Sequence, residues 1–105
     1  MRARILIDRR LAFGTKGQFL AFIKVYEVGK SKKFIDGIKA KYSLVDVSTG
    51  ALRILIDNHE PYGYHVHMRS PAGKEFRIPI MVGGWEEALK TFLNECERVV
   101  KNEDT

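Results

Sequence analysis

Apolar and polar residues alternate along most of this chain, and then the period changes. Over Arg2 to Arg9, Ala3, Ile5 and Ile7 point one way and Arg2, Arg4, Leu6 and Asp8 the other. A period of two is the mark of a strand with one buried face. Phe13-Gly14-Thr15-Lys16-Gly17 reads as a turn, because glycine reaches positive φ without strain. Phe19 to Val28 is rich in aromatic and β-branched residues, which favour a pleated surface. After the loop Gly29 to Lys33 the alternation resumes. Ile38, Ala40, Tyr42 and Leu44 share one face, and Lys39, Lys41, Ser43 and Val45 the other. Ser48-Thr49-Gly50 turns the chain into Leu52 to Asp57 as a hairpin. There Arg53, Leu55 and Asp57 oppose Leu52, Ile54 and Ile56. Asn58 to Gly63 reads as a loop, punctuated by proline and glycine. Two further strands follow, separated by Ser70 to Gly73.

Near Trp85 the period becomes helical. Trp85, Ala88, Leu89, Phe92, Leu93, Cys96, Val99 and Val100 recur at intervals of three and four, which draws one apolar stripe on a helix. Glu86 and Glu87 open it and Arg98 and Lys101 close it, in the sense the helix dipole favours. The predicted strands cover 2–9, 18–28, 37–47, 51–57, 64–69 and 75–80, and the predicted helix 84–101. Short connections between consecutive strands call for an antiparallel meander, since parallel strands need longer crossovers. The expected fold is therefore α+β. About six antiparallel strands form one sheet, and a C-terminal amphipathic helix packs on one face. The other face is left for function.

At 105 residues the chain makes one domain. No apolar run reaches the roughly 18 residues that span a bilayer. The start, Met1 to Asp8, is charged too early for a signal peptide. The single cysteine, Cys96, excludes an internal disulfide framework and reads as a buried, inert thiol in the helical stripe. A cytoplasmic protein without membrane contact is expected. Charge adds a direction. Residues 1–56 carry 12 Lys/Arg against 4 Asp/Glu, a net +8, while 57–105 carry 6 against 9, a net −3. A basic half suits a polyanionic partner, although ordinary solvated strand faces produce the same excess.

All three histidines fall between His59 and His67. The strand period places His65, His67 and Arg69 on one face, and Tyr64, Val66 and Met68 on the other. If the apolar set packs toward the helix, the His-x-His-x-Arg set looks outward. Arg53 and Asp57 from the preceding strand join it, as do Arg77 from the following one and Lys39 and Lys41 from further across. His59, Asn58 and Tyr62 are the contributors from the loop. Three chemistries fit. RNA cleavage through the ribose 2′-hydroxyl needs proton-transfer groups and cations, here His65 and His67 with Asp57, and Arg53, Arg69, Arg77, Lys39 and Lys41 on phosphate. A metal site would use the two imidazoles with Asp57 or His59, against the repulsion of neighbouring arginines; the reading adopted calls for no metal or cofactor. A binding surface without chemistry would use the cations and stack bases on Tyr62 and Tyr64. A plainer account makes the histidines ordinary residues of a polar strand face, and Asp57-Asn58 the start of a turn.

Lys41-Tyr42-Ser43-Leu44, then Arg53 to His59 with its Asp57-Asn58 pair, then His65-Val66-His67, then a helix with Ala88-Leu89-Lys90-Thr91-Phe92, together resemble the TumE toxin family. The resemblance covers roughly residues 38–100. It implies the toxin of a two-gene toxin–antitoxin system, a growth inhibitor neutralised by a cognate helix-turn-helix antitoxin and acting on RNA; the endoribonuclease reading comes from the histidine strand. Either terminal strand of the sheet is expected to offer an edge to that partner or to a second copy in a homodimer.

Overall fold

In the computed structural model, which describes residues 3–59, 63–69 and 73–103, six strands and one helix follow in chain order. They are β1 (Arg4–Phe13), β2 (Phe19–Glu27), β3 (Ile38–Asp46), β4 (Leu52–His59), β5 (Gly63–Arg69), β6 (Glu75–Pro79) and α1 (Trp85–Glu103). The sheet order is β1-β2-β3-β4-β5-β6 and every neighbouring pair is antiparallel, so this is the expected α+β meander. No described helix is long and apolar enough to cross a membrane.

The core forms where the two periods meet. Ala21, Ile23 and Val25 of β2, Ala40, Tyr42 and Leu44 of β3, Ile54 and Ile56 of β4 and Val66 of β5 are buried. Against them lie Ala88, Phe92, Cys96 and Val99, one stripe of α1. Tyr42 and Phe92 meet with ring centroids 5.6 Å apart. The Tyr42 hydroxyl donates to the Trp85 carbonyl over 2.8 Å and ties the first turn of the helix to the middle of the sheet. Burial pushes this hydroxyl above its ordinary range, and the neighbouring Tyr64 and Glu86 add to the shift. Burial likewise raises Cys96 to about 12, as suits an inert thiol.

A raised folded-state value favours the neutral phenol. Its contribution to stability is therefore whole below the unfolded value near ~10 and declines as pH rises above it. Tyr42→Phe is expected to cost about 1 kcal/mol at neutral pH, the usual worth of one such bond. Urea unfolding between about pH 8 and 11 should show stability falling with pH, less steeply in the variant.

Two register shifts depart from simple alternation. In β1, Ile5 pairs with Tyr26 but Ile7 pairs with Val25. Tyr26 and Val25 are adjacent and face opposite ways, so Ile5 and Ile7 do not share a face, and Ile5 is exposed. In β4, Leu52 pairs with Val45 and Ile54 with Leu44, so Arg53 is the extra residue of a bulge. Leu52 thereby leaves the core face. β1 also runs to Phe13, which pairs with Phe19 and lengthens the first hairpin beyond the predicted 2–9.

Asn58 and His59, read from sequence as loop, are the last residues of β4 and pair with Tyr64 and Gly63. The Asn58 side chain is buried and works as backbone. Its Oδ1 accepts from the Ala40 N–H and its Nδ2 donates to the Ile38 carbonyl, both at 2.8 Å.

The helix packs across β1 to β4. Beyond that reach, Phe76 and Ile78 on the helix side of β6 remain 46% and 50% exposed.

Candidate functional site

Residues paired across neighbouring strands point to the same face, so register alone draws the surface opposite the helix. One row runs Asp8, Lys24, Lys41, Asp57, His65, Pro79 across all six strands. The next runs Arg10, Phe22, Ser43, Leu55, His67, Arg77. Asp57, His65, His67, Lys39, Lys41 and Arg77 therefore do lie on one face. With strands about 4.8 Å apart, Lys41 stands about 10 Å from His65 across the sheet.

The two imidazoles differ. His65 is 6% exposed. Its Nδ1 meets the Gly63 carbonyl at 3.0 Å and its Nε2 lies 2.9 Å from Asp57 Oδ1. Both ring nitrogens thus face oxygen acceptors. Gly63 can supply that carbonyl because it turns into β5 at φ 62°, a conformation side chains disfavour. A neutral ring carries one N–H and satisfies one acceptor only. Asp57 Oδ1 is screened from water, and the 2.9 Å approach of His65 Nε2 is an ion pair when the ring carries both protons. His65 is buried with a polar group at each ring nitrogen and Pro79 as its register partner on β6.

His67 is partly open. Its ring meets that of His65 edge-on at 4.7 Å between centroids, and its Nδ1 lies 3.6 Å from Glu75 Oε1. Of the two, His67 is the more exposed.

The remaining candidates divide. Arg53 is 5% exposed and sits in the β4 bulge, so it does not stand on the open face as a phosphate ligand. Its charge helps to lower Asp46, whose carboxylate is held down first by its hydrogen bond from the Ser48 hydroxyl at 2.6 Å. Arg53 thus serves the β3–β4 hairpin. Asn58 is a buried clasp and not a loop contributor. Tyr64 lies on the helix side, with its hydroxyl buried and pushed up to about 12 by desolvation, so it is no stacking platform for the open face. Tyr62 and the side chains of His59 and Arg69 lie outside the described residues.

Sequence reading missed Glu75 beside His67, and it missed the contribution of β1 and β2. Lys24 faces Lys41 across the β2–β3 pair. Like charges placed opposite each other repel, and a bound polyanion relieves that repulsion. Phe22, Lys24, Lys41 and Ser43 line a depression of about 120 Å³ in this face. The strand character of β2 is legible from its aromatic and β-branched residues, but which of them meets Lys41 is set by register.

Comparison of the chain with protein-family models, with curated proteins and with solved structures gave no match.

Proposed function

We propose that this protein is the toxin of a toxin–antitoxin pair and that it cleaves RNA on the open face of its sheet. The observation that carries the reading is His67, partly exposed and backed by the His65–Asp57 contact, on the same face as Lys24, Lys41 and Arg77. The TumE resemblance supplies the expectation of a toxin; the face supplies the chemistry.

In this reading the RNA backbone lies across the rows, with phosphates on Lys24, Lys39, Lys41 and Arg77. Phe22 offers a ring to a base. His67 takes the proton from a ribose 2′-hydroxyl, whose oxygen attacks the adjacent phosphorus. The bond to the 5′ oxygen breaks, a cyclic phosphate forms, and the leaving oxygen takes a proton from water. Arg77, the register partner of His67, offsets the charge that builds on the phosphorane. His65 and Asp57 position the His67 ring and do not touch substrate. A cognate helix-turn-helix antitoxin neutralises the activity.

The test is growth after induced expression, wild type against His65→Ala/His67→Ala at matched protein level. Arrest by wild type and growth of the double variant supports the reading. Arrest by both assigns the toxicity to binding through the basic face. Growth in both removes the toxin assignment.

A further inference from the structure

We propose that Asp57, His65 and His67 form a site for a divalent transition-metal ion of the zinc type, and that its occupancy switches off proton transfer at His67. The first half stands on ligand geometry alone; the second rests on the RNA-cleaving reading.

One ligand atom from each of the three residues lies within 4.8 Å of the other two. Tetrahedral zinc with bonds of about 2.0–2.1 Å sets its ligand atoms about 3.3 Å apart. A modest rotation of the partly open His67 ring closes the difference. Two imidazoles and one carboxylate with a water-filled remainder make a familiar zinc or iron donor set.

Proximity is not the only argument. Histidine ligands characteristically donate their second ring N–H to a carbonyl or carboxylate, which fixes the tautomer. In the tautomer whose Nδ1–H donates to the Gly63 carbonyl, His65 meets this condition and its Nε2 lone pair faces Asp57. Nε2 and Oδ1 would then be two electron-rich atoms 2.9 Å apart, with the oxygen screened from water and without an aligned donor. A cation resolves that arrangement. Glu75, 3.6 Å from His67 Nδ1, provides the matching outer carboxylate. Lys41 and Arg77, the register partners of Asp57 and His67, oppose the charge and hold the affinity below that of a closed structural site.

A bound ion takes the His67 lone pair that the 2′-hydroxyl proton requires. Metal occupancy and cleavage therefore exclude each other.

The test uses the full-length chain freed of metal by chelator and titrated with Co²⁺, which absorbs visibly in place of Zn²⁺. One ion per chain is expected, displaced by Zn²⁺, with affinity lost in His67→Ala. Glu75→Gln, on an exposed residue that does not threaten the fold, should weaken binding by about 10- to 100-fold. Absence of a Co²⁺ spectrum and of Zn²⁺ binding at micromolar metal overturns the site, as does binding unchanged in His67→Ala. In RNA cleavage, Zn²⁺ should inhibit and chelator restore. Activity abolished by chelator overturns the switch. A protein that binds Co²⁺ through these residues and cleaves no RNA upholds the site while overturning both the switch and the cleavage reading.

Discussion

Asn58→Ala is expected to cost about 2–4 kcal/mol of folding free energy, a large share of the ~5–15 kcal/mol that a domain usually has. The registered β3–β4 ladder ends at Lys41 opposite Asp57. Beyond that pair the Asn58 amide continues the ladder, accepting from Ala40 N–H and donating to the Ile38 carbonyl in a buried place. Truncation leaves one donor and one acceptor without partners, each costing about 1–3 kcal/mol. Asn58→Asp tests the same point differently. A carboxylate still accepts from Ala40 but sets an oxygen against the Ile38 carbonyl, so it should not rescue. In urea, with a slope near ~1.5 kcal/mol/M, the midpoint should fall by about 2 M with the slope unchanged. A wild-type midpoint for Asn58→Ala would mean that the clasp is dispensable. Because Asn58 adjoins Asp57, loosening it also releases one wall of the site.

The elements that alternation describes well are legible in the sequence. Ile38 to Val45 has the predicted faces, and the stripe from Trp85 to Val100 lies on the sheet as drawn. Bulges were not legible. An extra residue leaves no trace in a period-two pattern, so alternation puts Ile5 on one face with Ile7 and Arg53 on the open face, where pairing separates the first pair and buries Arg53. The end of β1 was hidden for a related reason. Nothing local marks Phe13 as a strand residue; its partner Phe19 does. Asn58 and His59 carried turn chemistry in their types and were read as loop. The strand continues there because the Asn58 amide bonds the neighbouring backbone instead of its own.

The site divides along the same line. His-x-His on a strand fixes that both rings share a face, and the structure places them so. Their unequal exposure is not a property of that spacing. It arises because Asp57 and Pro79 flank His65 while the Gly63 carbonyl reaches back to its ring. Rows that span six strands are tertiary facts as well. Lys24 and Phe22 had no local signal to link them to histidines some forty residues later, and only register brings them onto one surface.

On the proposed RNA-cleaving reading, that surface would separate catalysis from binding in a way that kinetics can read. His67→Ala should lower kcat for RNA cleavage by about 10²- to 10⁴-fold, the usual worth of a positioned acid–base group, with KM little changed. Lys24→Ala and Lys41→Ala should do the reverse. They remove contacts made equally in ground and transition states, so KM rises and kcat holds. Each should also reduce the salt dependence of binding by roughly one counterion. Asp57→Asn lies between. It keeps the shape beside His65 but removes the charge, so kcat should fall by less than in His67→Ala while RNA binding stays intact. Cleavage by His67→Ala at the wild-type rate would take proton transfer away from this ring. The lysine rows would then describe a polyanion-binding face without chemistry, distinguished by salt-dependent affinity that survives every histidine substitution.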